Sequence, residues 1–140
     1  MAARLNPYLS FRDTAREAMD FYHSVFGGEL TVSTFSDFGA SEDPAEADLV
    51  MHSMLTTGTG LVLMASDTPP RITYTPGNDV SLSLSGDADD SDELRRYWDG
   101  LADGATVTMP LDVAQWGDYF GMLTDRYGVS WMVSIGASAS

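Results

Sequence analysis

The sequence predicts an α+β fold of two tandem β-α-β-β-β units whose curved mixed sheets surround a cavity. Three observations carry this. The order of alternating and helical apolar patterns, strand then helix then three strands, occurs twice. The two passages share residues at fixed offsets. Between them, residues 67–78 hold three prolines, the composition of a connector. The expected first unit covers residues 4–66 and the second 79–136, inside one domain spanning 1–140.

Residues 5–11 read as the first strand. Thr14-Ala15-Arg16-Glu17 follows as a capping box, with a hydroxyl and a carboxylate suited to the free N–H groups at a helix start. Ala15, Ala18, Met19, Tyr22 and Phe26 then recur at helical spacing, and Gly27-Gly28 supplies the left-handed residue that ends a helix. Residues 29–35 are a strand, and the acidic, small-residue stretch 39–48 is a surface loop. Residues 49–57 and 61–66 are strands joined by a turn at Gly58-Thr59-Gly60. The second unit repeats this order. Strand 80–85 and the turn Gly86-Asp87 lead to a helix with Leu94, Tyr97, Trp98 and Leu101 on one face, closed by Asp103-Gly104. Strands at 105–109, 119–124 and 130–135 complete it, and 137–140 is a frayed tail.

Internal similarity supports the repeat directly. At an offset of 76, residues 21–32 run beside 97–108, setting Gly28 against Gly104. At an offset of 68, Met51-His52-Ser53-Met54-Leu55-Thr56 lies over Tyr119-Phe120-Gly121-Met122-Leu123-Thr124, with Gly60 over Gly128 and Met64 over Met132. The acidic loop lengthens the first unit and accounts for the change of offset.

Composition narrows the function. A formal charge of −14 opposes phosphate backbones and anionic lipid, so neither nucleic acid nor membrane is an expected partner. With no cysteine, disulfides, thiolate metal sites and cysteine nucleophiles are excluded. The first residues lack the apolar stretch of a secretory signal, and a cytoplasmic location is expected. No phosphate-cradling Gly-x-x-x-x-Gly-Lys, Gly-x-Ser-x-Gly elbow or dinucleotide fingerprint occurs.

Several motifs together carry a family resemblance: Pro7-Tyr8-Leu9-Ser10-Phe11, Glu17-Ala18 with Phe21-Tyr22, Phe26-Gly27-Gly28-Glu29, Trp116-Gly117 with Phe120-Gly121, Thr124-Asp125, and Gly128-Val129-Ser130-Trp131-Met132. They resemble the PhnB-like branch of the vicinal oxygen chelate superfamily, which includes glyoxalase I, ring-cleaving dioxygenases and bleomycin- and fosfomycin-resistance proteins. The resemblance implies the glyoxalase/bleomycin resistance-like fold and a homodimer. In metal-using members, His, Glu or Gln side chains on the first and last strand of each unit hold the ion. Those places fall near Asn6, Met64, Val80 and Met132 here, and none of the four carries a carboxylate or an imidazole. Thioether sulfur suits soft Cu(I) better than harder divalent ions, so no cofactor is expected, and a divalent metal stays open but unsupported by these positions.

What remains is a cavity adapted to a small, partly apolar or aromatic molecule. Tyr8, His52, Met64, Trp116, Phe120, Trp131 and Met132 are its candidate lining, since methionine fits irregular shapes and aromatic rings clamp flat ones. For each aromatic taken alone, core packing is the competing role. His52 and Asp67 are candidate catalytic residues, paired if the third and fourth strands are hairpin neighbours. The leading expectation is therefore a small-molecule binding protein. The alternative is a glyoxalase- or dioxygenase-type enzyme with an altered site around His52.

Overall fold

Each repeat forms its own unit in the computed structural model, Met1–Pro76 and Gly77–Ser140, and the structure describes residues 3–39 and 42–137. In the first unit the order is β1 (Tyr8–Phe11), α1 (Ala15–Phe26), β2 (Glu29–Thr34), β3 (Val50–Thr56) and β4 (Val62–Asp67). In the second it is β5 (Leu82–Gly86), α2 (Ser91–Ala102), β6 (Thr106–Val113), β7 (Tyr119–Thr124) and β8 (Ser130–Ile135). The sheets have matching strand orders, β1-β4-β3-β2 and β5-β8-β7-β6. In both, the first strand runs parallel to the last, and the remaining pairs are antiparallel.

One helix covers one face of each sheet. In the first unit Ala15, Ala18, Met19 and Tyr22 of α1 are buried, together with Phe11, Val50, Leu55, Leu63 and Ala65 of the strands. In the second, Leu94, Tyr97, Trp98 and Leu101 of α2 are buried with Leu123, Trp131, Val133 and Ile135. At about 1.5–3 kcal/mol for each large side chain withdrawn from water, these two clusters are the main stabilising term in their units. The helix contacts also match residue size. A Cβ on Gly121 of β7 would come within 2.7 Å of the Trp98 ring, whereas the first unit has Tyr22 and Ser53 at the corresponding positions.

Three of the four antiparallel connections share one turn. In Thr57–Leu61, Ala114–Asp118 and Asp125–Val129, the N–H of the first residue donates to the carbonyl of the fifth, and that of the fourth donates back to the first. The fourth residue is Gly60, Gly117 or Gly128, with φ of 93°, 99° and 87°, a conformation costly for any other residue. In two of the turns a side chain at the first position adds a clamp. The Leu61 N–H donates to Thr57 Oγ1 at 3.0 Å, and the Val129 N–H donates to Asp125 Oδ1 at 3.1 Å.

Some expected boundaries shift. β1 starts at Tyr8 rather than residue 5, because Pro7 has no N–H to pair and Leu5 is fully exposed. β5 starts at Leu82, leaving Val80 outside it. β6 runs on to Val113 rather than stopping at residue 109. It is an edge strand that tolerates Pro110, and its register shifts on both sides of Met109.

The expected capping box on α1 is absent: Thr14 makes no side-chain cap bond, and the Ala15 N–H donates to Asp67 Oδ1 at 2.8 Å instead. A capping box does occur in the second unit, between Asp87 and Asp90 ahead of α2. The acidic stretch is partly built: Asp43 caps a 3-10 turn at Pro44–Glu46, and buried Glu46 accepts from Arg71 Nε at 3.2 Å. Residues 40 and 41 of that stretch lie outside the described residues, as does most of the expected tail. The connector is held by Arg12, whose guanidinium donates to the carbonyls of Thr68, Pro69 and Ile72 and lies over the Tyr74 ring.

Two predictions follow from this architecture. Gly28 combines φ of 89° with a Cβ position that would collide with the Thr56 carbonyl, so Gly28→Ala is expected to lower unfolding free energy by about 3 kcal/mol in urea titration. Gly27→Ala, with φ of 71° and no neighbour within 4 Å, should cost only about 1 kcal/mol. The carboxyl of Asp37 accepts the Thr34 N–H at 2.8 Å, and its own N–H donates to the Thr34 hydroxyl at 3.2 Å. Donation to that carboxyl from the Thr34 N–H first, then from the Thr34 hydroxyl, holds its pKa below the ordinary aspartate value. A depressed folded pKa contributes stability above the unfolded value, and that contribution fades as pH falls through the folded one. In NMR titration the Asp37 carboxyl should therefore have a lower midpoint in the folded chain than in urea, and the difference should shrink in Thr34→Ala.

Candidate functional site

Successive residues of a strand point to opposite faces, so strand register assigns every sheet residue to a side. In the first unit Leu55 pairs with Leu63 and Ser53 with Ala65, and these buried residues face α1. The opposite face carries Met54 paired with Met64, Tyr8 beside Met64, His52 beside Ser33, and Ser10 beside Ser66. The second unit has the same arrangement. Leu123 and Trp131 face α2, whereas Met122 pairs with Met132, Phe120 with Ser134 and Thr124 with Ser130 on the helix-free face. Each sheet thus presents a cross-strand methionine pair bordered by hydroxyl side chains.

Tyr8, His52 and Met64 come together on the first face. The Tyr8 hydroxyl lies 3.3 Å from His52 Nδ1, with ring centroids 5.8 Å apart, and Tyr8 is 49% exposed. On the second face Met132 pairs with Met122, and Phe120 lies edge-on to Trp116 with centroids 5.6 Å apart. Trp116 occupies the third position of the Ala114–Asp118 turn and is 64% exposed. Sequence reasoning missed Met54 and Met122. Their signal was the repeated Met-Leu-Thr at the 68-residue offset, which fixes their parity with Met64 and Met132 once the hairpins are paired.

Two candidates are corrected. Trp131 belongs to the helix-covered face, where it is buried and its indole N–H donates to Asp125 Oδ2 at 2.9 Å. It is one residue out of phase with Met132, so the pleat turns it the other way. Asp67 also faces α1, opposite in parity to His52, and no hydrogen bond joins the pair. Its two oxygens accept the N–H groups of Ala15 and Val50 at 2.8 and 2.9 Å, tying the start of α1 to the start of β3. His23, at the end of α1, bonds through Nε2 to the Gly28 carbonyl at 2.9 Å, a structural role.

The metal positions can be tested on donor chemistry. The cross-strand neighbours of Met64 and Met132 on the parallel strands are Tyr8 and Ser83, rather than Asn6 and Val80. Val80 is outside the sheet and 71% exposed. Two thioethers, a phenol and an aliphatic hydroxyl do not fit the hard or borderline divalent ions that the fold family holds. Among the described residues, no three His, Cys, Asp or Glu side chains cluster as a metal site.

Asp67 is buried with both oxygens in use, so Asp67→Asn leaves its amide group against an N–H donor. The expected loss is about 1–3 kcal/mol in unfolding free energy, with amide exchange faster at Ala15 and Val50 than at the Met122 and Met132 strands.

Residues 3–134 match the family described as 3-demethylubiquinone-9 3-methyltransferase. The crystal structure of protein PA1353 from Pseudomonas aeruginosa is 39% identical with a TM-score of 0.80, covering 98% of this chain and 100% of that one. A putative 3-demethylubiquinone-9 3-methyltransferase, PhnB protein, from Bacillus cereus is 27% identical with a TM-score of 0.70, covering 96% and 100%. A glyoxylase/bleomycin resistance protein/dioxygenase domain from Frankia sp. EAN1pec, at 18% identity, shares the fold with a TM-score of 0.63 over 100% of this chain and 96% of its own. No helix among the described residues is long and apolar enough to cross a membrane. The family match over nearly the whole chain, joined to two sheets of the same β-α-β-β-β order, makes this protein a member of that family, within the PhnB-like branch of the vicinal oxygen chelate superfamily.

Proposed function

We propose that the chain binds a small, partly apolar or aromatic molecule against its helix-free sheet faces, by shape and soft contact rather than through a divalent metal. The observation that carries this reading is the pair of cross-strand methionine couples, Met54 with Met64 and Met122 with Met132, at equivalent places in the two sheets. Unbranched thioethers adapt to irregular ligands, and the neighbouring serine and threonine hydroxyls offer hydrogen bonds without fixed charge. The family's description names a methyltransferase; the reading for this chain rests on its own residues.

A second reading is favoured by the Tyr8–His52 hydrogen bond: an enzyme in which that pair moves a proton on a bound substrate. Pairing with a second copy is also proposed, supported by the exposed apolar side chains Val107, Met109 and Val113 on edge strand β6.

Titration with 1-naphthylmethanol, followed by tryptophan fluorescence and NMR, is expected to show saturable binding with shifts in the methionine methyl signals. Met64→Ser and Met132→Ser should each weaken it about fivefold, or about 1 kcal/mol, without moving the urea midpoint appreciably. Absence of saturable binding sinks the reading. His52→Ala should leave the affinity within about twofold if the site only binds. Loss of a measurable turnover in that variant with the fold intact would favour the enzyme instead. Sedimentation equilibrium should give twice the monomer mass, and Val107→Glu with Met109→Glu should halve it.

A further inference from the structure

The helix-free face of the second unit has a chemical bias that its methionines do not explain. Asp112 of β6 is the cross-strand partner of Phe120, so its carboxylate shares a side with Phe120, whose ring stands at 63° to that of exposed Trp116. Asp112 Oδ1 accepts the Val113 N–H at 2.7 Å, and the group is exposed. Gly117, at φ of 99°, turns the hairpin that holds Trp116 beside Phe120. Two aromatic faces and one carboxylate therefore stand at one corner of this sheet.

Among the described residues of this unit, no cationic side chain is placed at that corner. The chain has no lysine, and the three arginines of this unit are committed elsewhere. The Arg95 guanidinium lies 4.7 Å from the ring centroid of Tyr119, a residue of the helix-covered parity, and its Nε donates to Ser91. Arg96 lies over Tyr97 on α2, and Arg126 pairs with Asp103 at 3.0 Å. The other groups assigned to this face by register are hydroxyls and thioethers, which add no positive charge. An anionic ligand would meet repulsion from Asp112 and from a chain of formal charge −14, with no arginine of this unit placed to hold it. A cation would gain both the carboxylate and the aromatic faces.

We propose that the Trp116, Phe120 and Asp112 corner selects small organic cations, so that the ligand of this face is an ammonium-type compound with a flat apolar body. The body packs on Trp116 and Phe120 and reaches the Met122–Met132 couple, while the cationic head sits over an aromatic face beside Asp112. This rests on the reading that the helix-free faces hold a small molecule, and it adds the charge of that molecule.

Three probes with one ring system test it: 1-naphthylmethylammonium, 1-naphthylmethanol and 1-naphthoate, titrated into the full chain at pH 7. The ammonium is expected to bind about tenfold tighter than the naphthoate, with the alcohol between them. Asp112→Asn should weaken the ammonium about threefold and leave the alcohol unchanged. Asp99→Asn, on the exposed side of α2, removes the same formal charge and should change none of the three. Trp116→Ala should weaken all three about tenfold, and Trp116→Phe should restore much of the loss. Urea midpoints of the variants separate lost binding from lost folding. Equal binding of the three probes, or equal effects of Asp112→Asn and Asp99→Asn, overturns the charge selection while leaving neutral binding intact. Failure of the alcohol itself overturns the underlying reading.

Discussion

Each sheet has one helix to bury against and only one face to offer it, and most of the remaining structure follows from that pairing. The pleat sends alternate residues to opposite sides, so each strand divides its residues between a buried apolar set and a second set that the core does not constrain. In the first unit Leu55, Leu63 and Ala65 belong to the former, and Met54, Met64 and His52 to the latter. A slip of one residue in any hairpin would exchange the two sets. Register is therefore as important to the candidate site as to the core, and the repeated five-residue turns with glycine at the fourth position fix it at three of the four antiparallel connections.

Two buried carboxylates reinforce this register. Asp67 joins the N-terminus of α1 to β3, and Asp125 receives the N–H groups of Tyr127 and Val129 together with the Trp131 indole. A buried carboxylate whose oxygens are filled by donors is stabilising, whereas one stripped of a donor is strongly destabilising. Both groups lie on the helix side or in a turn, and both are occupied. The helix-free faces carry mostly uncharged groups: thioethers, hydroxyls, and a phenol beside an imidazole, with the carboxylates of Glu29 and Asp112 on the edge strands.

This division shapes how the chain relates to its family. The positions that the family resemblance implies for a metal lie on or near the parallel first and last strands, which here hold Met64 beside Tyr8 and Met132 beside Ser83. The scaffold is kept and the donor set is unsuited to a hard divalent ion. On the proposed reading these faces bind by adaptable side chains, with the carboxylate at Asp112 and the absence of lysine setting the preferred charge of a ligand in the second unit.

The sequence by itself determined the order of elements, both helices and the matched positions of the units, because these depend on local periodicity and on glycine at positive φ. It also indicated Met64 and Met132 as a related pair through their common offset. Only the tertiary structure decided which side each residue faces. Trp131 and Met132 are adjacent in sequence and equally suited to a ligand, yet strand pairing buries the first on Asp125 and leaves the second on the helix-free face. His52 and Asp67 lie on neighbouring strands, but opposite parity separates them, and the carboxylate goes to the helix start that Thr14 was expected to cap. Likewise Asp112 acquires its relation to Phe120 only through the register shifts around Pro110, which no local pattern specifies. Facing depends on pairing across long sequence separations, and that information lies in the fold rather than in any one segment.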